Sequence, residues 1–383
     1  ASWVLKIFDL INDIINNLGD LNIATLSIIE IGILLLGIVL IMYTKNLLKI
    51  EMANICMFCI VVIVILVELD LRAIYIERPN IMYIILYYVV VLSLLFGIIL
   101  DIKKLQKFSC SIMILTAIAY LNLSNEFKIT QLYVGQGDTS IIQTESNNII
   151  LIDSGDKYAT SRISNYIKYS GNNKIDLAII SHTDSDHVEG LIGLIEQGFK
   201  VDTIILPQIN FEDELYSKVE ELSEQNNIQL FYATTGFNVQ IGGIDIDFIL
   251  PINYTQNKNE LSLVCELTYK NLKMLYTGDI GQDTEKQILD KISDVDILKV
   301  AHHGSKNSSA TEFLLQSNPE YAIISCGNNN IYGHPHNEVI EELNNLNIQT
   351  YRTDLNGATT ITLRSNRSNL GQKEVQIDTF ITR

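Results

Sequence analysis

Six histidines occur in this 383-residue chain, and all of them fall in three short clusters: His182/His187, His302/His303 and His334/His336. Histidines that serve only packing or the surface scatter along a chain. The densest cluster is His182-Thr183-Asp184-Ser185-Asp186-His187. Two imidazoles and two carboxylates in so short a run offer the nitrogen and oxygen donors that a pair of divalent ions can share with ligands from elsewhere. The run follows the apolar stretch Leu177-Ala178-Ile179-Ile180-Ser181. A strand end there feeds a tight loop, which places several side chains around one point. A solvated loop or helix cap would account for the Asp and Ser residues, but not for His at both ends.

Other strand ends deliver similar groups. Leu275-Tyr276-Thr277-Gly278-Asp279 offers one carboxylate suited to bridging two ions, although Thr-Gly-Asp alone is a common turn. A hydrophobic run from Ile297 delivers His302 and His303 at its end. Gly304 lets the backbone approach a ligand there, and Ser305 and Lys306 could hold an anion. In Ile331-Tyr332-Gly333-His334-Pro335-His336, either histidine could reach a leaving group or a phosphate. Incidental histidines on a surface loop are the competing account, stronger for His336 than for His334. Asp138, in Gly135-Gln136-Gly137-Asp138, and Asp153, which closes the first hairpin, read as structural carboxylates by the same strand-end logic.

These residues need a scaffold of alternating strands and helices, and the pattern after residue 124 supplies one. Strands are expected at 128–134, 139–144, 148–153, 176–181, 203–206, 261–268, 273–277, 295–301, 321–325, 359–363 and 374–378. Helical runs sit near 158–169, 188–197, 212–225, 282–290, 309–316 and 337–345. Many strands with interspersed helices and no repeat imply two packed sheets covered by helices.

The first third of the chain is different. Residues 1–123 hold 8 Lys+Arg and 9 Asp+Glu, and the remainder holds 19 and 35, so the net charges of −1 and −16 make up the −17 of the chain. Uncharged or nearly uncharged runs at 23–43, 52–67, 81–100 and 108–123 read as four membrane crossings, the shorter two completed by flanking residues. Lys45 and Lys49 lie in the first loop and Lys103, Lys104 and Lys107 in the third, which places those loops in the cytoplasm and the C-terminal domain outside. An amphipathic helix precedes the first crossing, from Trp3 to Leu18; it lies on the membrane surface or packs on neighbouring helices. Glu30 is placed at the headgroup level rather than as a functional intramembrane carboxylate. Cys56 and Cys59 sit inside an apolar run and read as packing residues, not a redox pair. The chain opens without Met or a secretory signal, as expected of a fragment or a processed chain.

Taken in order, these motifs resemble the metallo-β-lactamase superfamily, whose metal motif is His-x-His-x-Asp-His. Asp184 stands here for the second His. That variant, with Val134-Gly135-Gln136-Gly137-Asp138 before it, His302-His303-Gly304-Ser305 after it and Tyr332-Gly333-His334-Pro335 last, is similar to the C-terminal part of ComEC-type DNA-internalization competence proteins. The resemblance covers residues 128–383, and the membrane segments before it fit the end of that family's channel region.

The resemblance implies an α/β class protein: N-terminal transmembrane α-helices followed by a four-layer αββα sandwich with the site at one edge. It implies two divalent ions, Mn2+ or Zn2+, with carboxylate-rich ligation shifting the balance toward Mn2+. His182 and Asp184 would hold one ion, Asp186 and His187 the other; Asp279 would bridge them and His302 would complete the ligand set. Asp153 would orient the loop that carries the ligands, with Asp138 as a further supporting carboxylate. Asp186, His303 and His334 would take catalytic roles, with Ser305, Lys306 and His334 at the substrate. The superfamily's middle-motif His has no counterpart, and Asn259 and Ser262 sit where the competence family has Asn-x-x-Ser. That family's N-terminal soluble domain and most of its membrane helices are absent from this sequence, and it has no strong basic patch.

The expected activity is that of a membrane-anchored phosphodiesterase or nuclease acting on incoming or single-stranded DNA, alongside competence-machinery partners in a lipid membrane. Two alternatives accompany it: a phosphodiesterase of choline-substituted teichoic acid or another cell-wall polymer, and a non-catalytic component of a DNA-uptake channel.

Overall fold

The computed structural model describes residues 126–250, 255–365 and 373–381, with scattered positions between 89 and 112. The four expected membrane crossings, the amphipathic helix and Glu30 lie outside the described residues, apart from those scattered positions. Among the described residues, no helix is long and apolar enough to cross a membrane.

Fifteen strands of the described region form two sheets. The first has the order β15-β14-β1-β2-β3-β4-β5-β6. Its members are β1 (Lys128–Gln131), β2 (Ser140–Gln143), β3 (Ile149–Ile152), β4 (Lys174–Ile179), β5 (Lys200–Pro207), β6 (Gln229–Ala233), β14 (Thr359–Ser365) and β15 (Lys373–Thr379). The second has the order β13-β12-β11-β10-β9-β8-β7. It comprises β7 (Asn238–Ile241), β8 (Ile244–Ile249), β9 (Val264–Tyr269), β10 (Leu272–Tyr276), β11 (Ile297–Lys299), β12 (Tyr321–Ile324) and β13 (Gln349–Arg352).

Strand β3 shows why four layers form. Ile149, Ile150, Leu151 and Ile152 are all buried, and successive side chains point to opposite faces. Ile149 and Leu151 join the cluster that includes Ile163 and Ile167 of α1 (Thr160–Tyr169), Val188 and Leu191 of α2 (Ser185–Glu196), and Val219 and Leu222 of α3 (Glu214–Gln225). Ile150 and Ile152 face the other sheet, meeting the cluster of Ile246, Phe248, Leu267 and Met274. The second sheet's far face carries Leu275, Leu298 and Ala322 against Ile288 of α4 (Gln282–Ile288), Phe313 and Leu314 of α5 (Thr311–Ser317), and Val339 and Leu343 of α6 (Asn337–Asn345). A short α7 (Thr353–Asn356) follows β13. The order is therefore helix, sheet, sheet, helix, as expected of the αββα sandwich.

Parallel pairing positions the site. β3 and β4 are parallel neighbours, with Ile150 opposite Leu177, and β10 and β11 likewise, with Met274 opposite Ile297. Parallel neighbours carry their C-terminal ends to the same edge of the sheet. Asp153, His182, Asp279 and His302 all follow such ends.

The strand pattern read from the sequence lacks β6, β7, β8 and β13. Three of these are the outermost strands of a sheet, where one side is unpaired and a continuous apolar signal is not required. β8, Ile244-Asp245-Ile246-Asp247-Phe248-Ile249, does alternate with period two. The strand expected from 261 begins at Val264 instead, because Asn259–Leu261 forms a 3-10 turn.

Candidate metal centre

The loop from Ser181 leads directly into α2, so Asp184 takes the N-cap position and Asp186 and His187 lie in the first turn. A negative side chain there is favoured by the helix dipole. Asp184 makes no capping bond. Its Oδ1 is held by Lys258 Nζ at 2.7 Å, and its Oδ2 lies 3.6 Å from His182 Nε2. The turn after β3 docks onto α2 through Ser154, whose amide and hydroxyl both donate to the His187 carbonyl, at 2.7 and 2.8 Å. Gly190 permits this approach: a Cβ there would stand 1.8 Å from the Ser154 carbonyl oxygen.

His187 is fully buried and oriented by Asp153. The Asp153 carboxylate accepts from the Ser181 amide at 2.7 Å and hydroxyl at 2.8 Å, and lies 3.0 Å from His187 Nδ1. With that proton on Nδ1, the Nε2 lone pair faces the centre. Asp279 Oδ1 is 3.5 Å from His187 Nε2, and Asp279 Oδ2 is 3.6 Å from His303 Nε2. His303 Nε2 also lies 3.3 Å from Asp186 Oδ2. Its Nδ1 donates to the Ser325 carbonyl at 3.0 Å, again leaving Nε2 toward the centre. The Ser181 and Ser262 hydroxyls flank His182 Nδ1 at 3.1 and 3.3 Å, and Ser262 Oγ accepts the Asp279 amide at 3.2 Å.

The buried atoms without a hydrogen-bond partner include Nε2 of His182, His187 and His303, and Oδ1 of Asp279 and of Asp138. Orphaned buried polar atoms are costly, so several facing one another call for a shared cation. Two ligands about 2.1 Å from one ion at a tetrahedral angle lie roughly 3.4 Å apart; the separations here, 3.3 to 3.6 Å, match. His182, His187 and Asp279 form one candidate group, and Asp186, His187 and His303 a second. The residues present therefore fit divalent ions held between imidazoles and carboxylates.

The electrostatics agree. Burial alone would raise Asp279, but His303 and then His187 hold its carboxyl well below the usual range. Burial would lower His187 and His303; Asp279, with Asp153 for His187 and Asp138 for His303, raises both, His303 to about 10. For Asp184, the contact with His182 outweighs burial, and Lys258 adds to it, so its carboxyl is held below the ordinary range.

Placement differs from the sequence expectation at the paired histidines. His303, expected in a catalytic role rather than as a ligand, is buried to 2 % exposure inside the candidate ligand cluster. His302, expected among the ligands, is half-buried, with Nε2 3.9 Å from Asp279 Oδ2. The cause is local backbone geometry. Both residues adopt left-handed conformations, φ 49° and 55°, at a cost of about 1–2 kcal/mol each. Within this turn His303 is buried and His302 stays partly exposed. Gly304 sustains the turn, because a Cβ there would meet Pro335 Cβ at 2.6 Å.

Of the other expected residues, His334 sits beside His302 and His303, at ring-centroid distances of 5.7 and 6.1 Å. Burial, then His303 and His302, push its pKa down to about 4. Ser305 is buried and accepts the Asn307 amide at 3.3 Å, whereas Lys306 is exposed. Asn259 contributes through its carbonyl, which accepts the Ser262 amide at 3.0 Å. Asp138 lies deeper than a turn carboxylate should, 3.4 Å from His303 Nδ1. Two lysines were missed by sequence reasoning. Lys299 was legible as a charge inside the apolar run of β11. Lys258, which bridges Asp184 and Asp213 at 2.7 and 2.9 Å, lies in a polar loop with no such signal.

A profile of the metallo-beta-lactamase superfamily matches residues 132–328, which span every ligand candidate. The chain belongs to this superfamily. Its curated relatives are of the ComEC family, the competence family that the motifs resemble. ComE operon protein 3 of Bacillus subtilis (strain 168) is 27% identical over 314 residues, covering 76% of this chain and 40% of that protein. Competence protein ComA of Neisseria gonorrhoeae is 30% identical over 241 residues, 61% of this chain and 32% of that protein. The chain thus spans about a third to two fifths of these relatives' length. Among solved structures it is similar to the metallo-beta-lactamase fold protein YhfI from Bacillus subtilis, with TM-score 0.44, 13% identity, and coverage of 60% of this chain and 96% of that one.

Proposed function

We propose that this superfamily member is a two-metal phosphodiester hydrolase that cuts DNA during its uptake, carried on the extracytoplasmic side of the cell membrane by residues 1–123. The observation that carries the proposal is the convergence of the orphaned Nε2 atoms of His182, His187 and His303 with Asp279 Oδ1. Competence-named relatives support the choice of DNA.

In this proposal His182, Asp184 and Asp279 would hold one ion, while Asp186, His187, His303 and Asp279 would hold the second. The assignment moves His303 into the ligand set and leaves His302 at its margin. The donor set, three imidazoles and three carboxylates, suits either Mn2+ or Zn2+. Bound divalent ions supply positive charge that acidifies a water and draws charge from phosphoryl oxygens. Asp186, partly exposed at the α2 N-terminus, is ionised and able to accept a proton from the attacking water. His334, neutral near pH 7 because of its depressed pKa, would donate its one ring N–H as a hydrogen bond to the leaving oxygen from the outer side of His303, and that oxygen would take its proton from solvent water. Asp153 and Ser325 hold the Nδ1 protons of His187 and His303 and so fix which nitrogen faces the centre.

The test uses the full chain in detergent micelles with Mn2+ and a labelled single-stranded oligonucleotide. Cleavage by the wild type, lost in Asp279→Asn and His187→Ala, is expected. Absence of cleavage, or equal cleavage by the variants, overturns the proposal. A choline phosphodiester in parallel shows whether a cell-wall substrate is preferred.

A further inference from the structure

Three near-parallel rings lead outward from the buried centre. His303 and His334 are 6.1 Å apart with planes at 29°, and His334 and Tyr332 are 5.7 Å apart at 23°. The series begins at a buried ring and ends at one that is 60 % exposed, with Ile331 beside it at 91 %. Tyr332 thus presents an exposed aromatic face one ring away from the candidate metal centre.

The loop presenting them is braced at its root. Asn330 Nδ2 donates to the carbonyls of Gly327 and His334, at 2.9 and 2.6 Å, and Asn330 Oδ1 accepts the His334 amide at 2.9 Å. The His336 amide reaches the Gly304 carbonyl at 2.9 Å, and Pro335 packs where Gly304 lacks a side chain. Ile331 and Tyr332 therefore form the tip of a fixed loop, one ring beyond His334.

Charge narrows the occupant. Residues 124–383 carry a net −16, so general attraction for a polyanion is unavailable to this domain, and affinity for a nucleic acid must come from contacts other than phosphate neutralisation. Base stacking on an aromatic face supplies such contacts and tolerates any base sequence.

We propose that Tyr332, edged by Ile331, is a stacking platform for a nucleobase of single-stranded DNA, seating the nucleotide next to the phosphate held at the metal centre. The platform rests on the DNA-cleaving function proposed above and supplies its selectivity for unpaired strands.

Binding is measured by fluorescence anisotropy on the full chain in detergent micelles with Ca2+, using labelled oligodeoxythymidylate and an abasic strand of equal length. Tyr332→Ala is expected to weaken oligodeoxythymidylate binding about ten-fold, and Tyr332→Phe by less than about two-fold. Ile331→Ala should fall between them, and the slope of affinity against salt should stay unchanged. The abasic strand should bind weakly to the wild type and be insensitive to Tyr332→Ala. Thermal unfolding confirms that each variant is folded. Equal binding of both strands, no strand binding by the wild type, or a Tyr332→Ala loss seen only with phospholipid vesicles overturns the platform. Ring-dependent binding without Mn2+-supported cleavage leaves the platform standing and removes the nuclease function; cleavage with ring-independent binding does the reverse.

Discussion

Lys299 Nζ lies 2.6 Å from Asp138 Oδ2, with both side chains almost wholly buried. The ammonium also donates to the Val300 carbonyl at 3.0 Å. Burial would raise the Asp138 carboxyl, but Lys299, and then His303, hold it well below its ordinary range. The pair joins the loop after β1 to the end of β11, and so ties the strand that delivers His303 to the opposite sheet.

Removing one partner leaves a buried charge unpaired. Lys299→Met is expected to lower stability by about 3–5 kcal/mol, and Lys299→Met/Asp138→Leu to regain most of that loss. Denaturant unfolding of the metal-free protein measures both. A double variant as unstable as the single would show that the pair's charge is not the issue.

In the proposed site Asp153 would act on metal through His187, whose Nδ1 lies 3.0 Å from its carboxylate. Asp153→Asn keeps the shape but presents an amide to Nδ1, so the ring loses the partner that fixes its tautomer. Metal affinity should fall by about 10–100-fold. Titration of the apoprotein with Mn2+ checks this, and unchanged affinity would remove Asp153 from the site's support.

Metal uptake should release protons. In the metal-free protein the Asp279, Asp153 and Asp138 carboxylates raise His187 and His303, the latter to about 10. Their protons must leave before nitrogen binds metal. Apparent affinity is therefore expected to rise with pH through the neutral range toward about 10. Without metal the sign is opposite: a raised histidine pKa stabilises the fold fully below about 6.5, the unfolded value, and that contribution is lost as pH rises through about 10. Calorimetry in buffers of different ionisation enthalpy reads the released protons. A buffer-independent enthalpy would contradict the expectation.

Away from the centre, Glu285 of α4 is buried and accepts the amides of Ser309 and Ala310 at 2.6 and 2.7 Å, just before α5. Glu285→Ala strands both donors and should cost about 2–4 kcal/mol. Metal content should stay unchanged, because Glu285 is absent from the candidate metal groups of the described residues. A stability loss below about 1 kcal/mol would mean that water replaces the carboxylate without penalty.

The three histidine clusters, and the carboxylates interleaved with the first of them, are fixed by sequence. Ligand chemistry depends on residue type, and strand ends depend on local apolar runs such as Leu177 to Ile180. The layer order was likewise legible, since strands like β3 are apolar on both faces and need cover on each. Edge strands β6, β7 and β13 were not, because an edge buries less and its apolar signal is weak. Tertiary structure alone decided which of His302 and His303 turns inward, since that depends on two left-handed residues and on Pro335 packing against Gly304 from a distant loop. It also decided the partners of Asp138 and Asp184. Lys299 stands 161 residues from Asp138 in the chain, and Lys258 lies in a polar loop far from Asp184. A charge pair across such separations is made by the packing of two sheets and leaves no local pattern to read.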